Sequence, residues 1–120
     1  VIIIDAPPGT SCPVMASVRG SDAVVMVSDQ TPFGLHDLKL AVETTRELEL
    51  PFGVVINRDG LGDDRTEKFC ESEHIPILAR IPDSREIAEA YARGQLAAEA
   101  VDGYADIMES LYVRIRELVG

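Results

Sequence analysis

Residues 1–5, Val-Ile-Ile-Ile-Asp, set four β-branched side chains in a row with no polar residue between them. Such a run reads as a strand buried on both faces, the habit of parallel sheets whose faces are covered by crossover helices. It ends in Asp5 and passes at once into Ala-Pro-Pro-Gly. An acid at the tip of such a strand points into the crevice where α/β folds bind ligands. Gly9 has no Cβ to hold backbone away from an anion, and Pro7 and Pro8 stiffen the approach. Asp5 there suits Mg²⁺ held through water. The competing reading is a strand whose last residue only caps the next turn by local hydrogen bonding.

The rest of the chain alternates strand and helix. A short helix is predicted from about Pro13 to Arg19, with proline at a position that tolerates it. Ala23–Ser28 reads as a strand. Residues 34–48 read as a helix, because Leu35, Leu38, Val42 and Thr45 share one face while Lys39, Glu43 and Glu47 do not. Gly53–Asn57 is the next strand, followed by a helix capped by Asp63 and running to about Ser72. Ile75–Arg80 is a strand, and Ser84 caps a helix that carries Ile87 and Tyr91 before Gly94 stops it. A last helix spans about Gly103 to Leu118, with Tyr104, Ile107, Leu111, Ile115 and Leu118 in one stripe that should dock on the sheet.

Strands separated by helices of this size imply a parallel α/β sheet with flanking helices. All strand tips then gather on one edge. Asp5, Asp29, Asn57 and Pro82 would line it, so motifs from separate parts of the sequence converge on one crevice. Asn57 can accept from and donate to an adenine edge at once, a pairing asparagine makes well. The plainer reading is that Asn57 turns the chain and that Pro82-Asp83-Ser84 starts a helix.

Composition narrows the partners. At 120 residues, 46% hydrophobic and 27% charged, the chain is one domain's worth with a single core, no linker and no repeat. A net charge of −10 repels phosphate backbones, so nucleic acid is not an expected partner, and a nucleotide must be held by local groups. No stretch has the length of a membrane span, and Asp106, Glu109 and Glu117 argue against a lipid-surface role for the last helix. Two distant cysteines give neither a disulfide framework nor a zinc spacing, which fits a reducing cytoplasm. His36 is assigned no role, and Arg65 is read as a member of a surface ion pair.

The segment Asp5-Ala-Pro-Pro-Gly-Thr-Ser-Cys-Pro resembles the Walker B and switch II region of the MinD, Mrp and nitrogenase iron protein group of P-loop ATPases. The resemblance continues through Val24–Ser28, Thr31-Pro32-Phe33-Gly34-Leu35-His36-Asp37-Leu38, Val54-Val55-Ile56-Asn57-Arg58, Gly62-Asp63-Asp64-Arg65 and Ile81-Pro82-Asp83-Ser84. It is strongest toward MinD-like ATPases that carry an inserted ferredoxin domain. It implies that Asp5, Gly9 and Thr10 form the switch that senses the γ-phosphate of ATP with Mg²⁺ on Asp5. It also implies that Asn57, Arg58, Pro82 and Asp83 grip the base. A homodimer across nucleotide and an iron–sulfur or electron-transfer partner are implied in the same way.

Cys12 stands at the offset from Asp5 where the nitrogenase iron protein ligates its [4Fe–4S] cluster. Two copies of this chain would supply only two thiolates to a cluster that wants four. The simpler reading is a thiol acidified by the helix that follows. Cys70, beside Phe69, reads as core packing.

No Gly-rich loop ending in Lys-Ser or Lys-Thr occurs in these residues, and no ferredoxin-type cysteine run. With Val1 opening in mid-strand, the expectation is the C-terminal half of a P-loop NTPase fold, unable to hydrolyse ATP alone. In that fold class the P-loop strand separates the Walker B strand from the next one. Val1–Asp5 and Ala23–Ser28 should therefore lack a shared neighbour, which predicts gap closure, self-association through a strand edge, or marginal stability. The alternatives to an ATPase are a nucleotide-dependent scaffold without turnover and a dethiobiotin-synthetase-like ligase relative.

Overall fold

A computed structural model describes residues 1–7 and 12–120, the side chains of Cys12 and Pro13 excepted. Three strands, β1 (Val24–Ser28), β2 (Phe52–Asp59) and β3 (Ile77–Pro82), form one sheet in the order β1-β2-β3. Both pairings are parallel, with Met26 opposite Val54 and Ile56 opposite Arg80. The helices are α1 (Cys12–Val18), α2 (Pro32–Glu47), α3 (Arg65–Ser72), α4 (Arg85–Ala92), α5 (Ala97–Ala100) and α6 (Tyr104–Val119). The α/β class is thus as the sequence pattern requires.

Central strand β2 carries the core. Val54, Val55 and Ile56 are 2% exposed or less, because β2 has a neighbour on both edges and cover on both faces. One face is closed by Met26, Leu38, Val42, Val54, Ile56, Cys70 and Ile75, with Phe52 and Phe69 packed at its margin. Alternation sends Val55 to the other face. Helix α2 buries Leu38, Val42 and Thr45, three of the four positions its periodicity selects. Thr31 caps it, its hydroxyl accepting from the Gly34 amide at 3.1 Å, and Pro32 takes the first turn, where no amide is missed.

Helix α6 docks as its stripe demands. Tyr104, Ile107, Leu111, Ile115 and Leu118 are all half-buried, and Arg114 Nη1 donates to the β3 carbonyls of Ile77 at 3.0 Å and Leu78 at 3.4 Å. β3 is pinned at its end of the sheet. At the opposite end β1 has no outer strand among the described residues, and on one of its faces Val27 is 64% exposed.

Several boundaries differ from the sequence expectation. Helix α3 begins at Arg65 with Asp64, not Asp63, in the cap position, although the Asp63 carboxylate still accepts from the Arg65 amide at 3.0 Å. Strand β3 lies two residues later than expected, because Ile75 and Pro76 serve as the approach and Pro76 offers its carbonyl to Val54. Tyr91 is exposed, and Ala90 is the residue of α4 that enters the core. The short α5 had no periodic signal.

Val1–Asp5 is the main correction. It is no strand, and Val1, Ile2 and Ile3 are about nine-tenths exposed. A β-branched run has strand preference only where a neighbour takes its amides and carbonyls. Among the described residues no strand stands outside β1 to bridge the two, and the sheet stops at β1.

Truncating Ile56, wholly buried at the sheet centre, opens a cavity in the main cluster. Ile56→Ala is expected to lower unfolding free energy by about 2–5 kcal/mol, read from the denaturant midpoint at unchanged m-value.

Candidate functional site

The carboxyl ends of the three strands form one rim, and each contributes a loop tied to its neighbour. After β1, the Asp29 carboxylate accepts from the Thr31 amide at 3.1 Å and from the Thr31 hydroxyl, closing a local turn that delivers the chain into α2. Gln30, buried, pairs in parallel with Gly62 of the loop after β2. Its carbonyl also accepts from the Asp63 amide at 3.2 Å. Gly62 has φ +88°, and a Cβ there would meet the Gln30 oxygen at 2.0 Å, so only glycine allows this approach. Thr66, also buried, adds a bond from α3 to the Asp29 carbonyl at 3.4 Å.

At the end of β2 the ladder breaks. The register shifts between Ile56 and Asp59, so Asn57 and Arg58 bulge out of the pairing with β3. Arg58 adopts φ +52°, a left-handed backbone, and its amide donates to Asn57 Oδ1 at 3.0 Å. The ladder resumes where Asp59 pairs with Pro82 and its carbonyl accepts from the Asp83 amide at 2.9 Å. Arg58 Nε lies 3.5 Å from Asp83 Oδ1. Next to it Ser84 caps α4. Asn57, Arg58, Pro82 and Asp83, distant in sequence, therefore form one unit.

The other half of the expected site is not carried by a strand of the sheet among the described residues. Asp5 is exposed on a segment outside the sheet, so no strand delivers its carboxylate to the rim. Gly9 and Thr10 lie outside the described residues, as does the Cys12 side chain at the start of α1. Among the described residues no three His, Cys, Asp or Glu side chains group to hold a metal ion by themselves. Mg²⁺ makes no such demand, since it binds through one or two carboxylates, phosphate and water. An iron–sulfur cluster does need thiolates, and Cys70 does not fit one. It is fully buried, and burial pushes its thiol pKa up.

Arg65 is held by Asp63 at 2.7 Å, and this bond keeps the Asp63 carboxyl below its ordinary range. The surface ion pair read from the sequence is present. The Gln30–Gly62 clasp and the Asp59 carbonyl were not anticipated. Their only trace in the sequence is the paired glycines of Gly60-Leu61-Gly62.

These elements define an α/β domain: a parallel sheet with flanking helices, and an Asn-Arg bulge beside a Pro-Asp-Ser turn at the carboxyl rim. The fold matches the Pyrococcus furiosus cell division ATPase MinD with a TM-score of 0.75 at 24% identity, over 95% of this chain and 50% of that one. It matches the Pyrococcus horikoshii septum site-determining protein MinD, solved with Mg-ADP, with a TM-score of 0.75 at 21% identity, over 97% of this chain and 50% of that one. In sequence the chain is 31% identical to an uncharacterized protein of Methanocaldococcus jannaschii, over 78% of this chain and 31% of the relative. It is 26% identical to the iron-sulfur cluster carrier protein of Pyrococcus furiosus, over 99% of this chain and 47% of the relative. The chain thus spans less than half the length of these two relatives. No family model matches the sequence. The resemblance to MinD/Mrp-type ATPases therefore stands on fold and on sequence similarity at low identity.

Two outcomes check this geometry. Gly62→Ala should cost more than about 1 kcal/mol of stability, because both the backbone angle and the clasp oppose a Cβ. Cys70 should resist Ellman's reagent at pH 8 in the native state and react on unfolding, as read by peptide mass mapping.

Proposed function

We propose that the chain is the base-gripping and switch-bearing module of a MinD/Mrp-like P-loop ATPase. The single observation that carries this reading is the Asn57–Arg58 bulge tied to Pro82 and Asp83 at the carboxyl rim. Asparagine offers one acceptor and one donor in fixed relation, the complement of an adenine edge. The relatives in iron-sulfur carriage and the MinD fold support the same reading.

In this reading Asn57 orients the base, and the backbone of Ile81–Ser84 closes over it. Asp5 receives Mg²⁺ through water, and Gly9 and Thr10 follow the γ-phosphate as a switch. The ion supplies neutralisation of phosphate charge. Hydrolysis in such sites comes from positioning and charge neutralisation rather than covalent chemistry. The phosphate-cradling loop and its lysine have no counterpart among these 120 residues, so residues 1–120 alone bind weakly and do not turn over. A strand set against the outer edge of β1 would give Val1–Ile4 the backbone partner it lacks. Dimerisation across nucleotide, delivery to an iron–sulfur or electron-transfer partner, and a cytoplasmic setting complete the proposal. No helix among the described residues is long and apolar enough to cross a membrane.

A scaffold that binds nucleotide without turnover is the second reading, favoured by the exposure of Asp5. Variants of the full-length protein separate the two. Asn57→Ala should weaken ADP binding by about tenfold, the worth of one good hydrogen bond. Asp5→Asn should abolish ATP turnover while leaving ADP binding within a few-fold. Turnover that survives Asp5→Asn, or ADP affinity indifferent to Asn57→Ala, overturns the ATPase assignment. Loss of bound iron in Cys12→Ala, with turnover intact, would assign Cys12 to the cluster; unchanged iron leaves it a simple thiol.

A further inference from the structure

Three described residues other than glycine have positive φ: Glu49, Arg58 and His74. Glu49 and His74 each follow a helix end, where a left-handed residue is an ordinary way to close the last turn. Arg58 is different. It lies inside strand β2, where a side chain with a Cβ is disfavoured in that conformation. Strain of this kind persists only where surrounding contacts over-determine it.

The contacts around Arg58 are specific. Its amide donates to Asn57 Oδ1, 3.0 Å away. An N–H can donate only to the oxygen of an amide, so this bond fixes which way the Asn57 amide faces. The oxygen keeps one lone pair free, and the NH₂ group is left to donate. On the far side of the bulge, Arg58 Nε reaches Asp83 Oδ1 at 3.5 Å, while the Asp83 amide is anchored on the Asp59 carbonyl at 2.9 Å. The side-chain contact ties the strained residue to the resumed ladder.

We propose that Asp83, acting through Arg58, sets the purine preference of the rim by holding the Asn57 amide in one orientation. The inference rests on the base-gripping reading above and adds to it a positioning residue and a source of selectivity. Adenine presents an amino donor beside a ring-nitrogen acceptor; guanine presents two acceptors at the same edge. An amide fixed with one oxygen and one NH₂ outward matches the first and sets oxygen against oxygen in the second. An amide released from Arg58 can swing so that its NH₂ alone faces the base edge, a donor that guanine accepts as readily as adenine does. Asp83 itself need not touch the nucleotide.

The test compares ADP and GDP binding by calorimetry in the full-length protein and its Asp83→Ala, Arg58→Ala, double and Asp83→Glu variants. Hydrogen exchange at the Arg58 amide is followed in the nucleotide-free state. Asp83→Ala should reduce the ADP-over-GDP preference by about two- to fivefold, the range open to one exposed ion pair. Arg58→Ala should do the same, the double variant no more than either, and Asp83→Glu should restore part of the preference. Exchange at the Arg58 amide should quicken in Asp83→Ala. An unchanged exchange rate overturns the inference, as does faster exchange with an unchanged ADP/GDP ratio, or additive losses in the double variant. Failure of the unaltered protein to bind ADP is a different result: it defeats the base-gripping reading, and the selectivity inference with it.

Discussion

The hydrogen-bond ladder on either side of β2 is the constraint from which the rim follows. Among the described residues β2 is the one strand with neighbours on both edges, and its middle residues are sealed by cover on both faces. A strand so fixed cannot slide, because a one-residue slip would turn every side chain to the opposite face. Its end is therefore a fixed point from which a bulge can aim two residues outward. The paired break and resumption between Ile56 and Asp59 gives Asn57 and Arg58 their place without loosening the core.

Most of the fold was legible because two periodicities are written plainly. Leu38, Val42 and Thr45 recur at helical spacing and are the residues α2 buries. Thr31 and Ser84 carry the side chains that helix starts require, and both cap. Half of the rim was legible for the same reason, since parallel order alone gathers Asn57 and Pro82 on one edge. What the sequence did not disclose is long-range: the Gln30–Gly62 clasp joins two loops through backbone atoms, which leave no side-chain signature.

The N-terminal run shows the limit of local preference. Four β-branched residues state a strong wish for a strand, yet they stand in solvent. Strand preference is a packing statement in disguise, and without an adjacent backbone it has nothing to act on. The same absence explains why no strand carries Asp5 toward the rim. A helix can be read from its own residues; a strand needs to know its neighbour.

The two ends of the sheet are unequal. At β3 an arginine from α6 occupies carbonyls of the strand, whereas at β1 a valine faces water. On the α6 flank an arriving strand would have to displace Arg114 from the Ile77 and Leu78 carbonyls, a cost it does not meet beside β1. Complementation by another polypeptide is therefore favoured on the β1 flank.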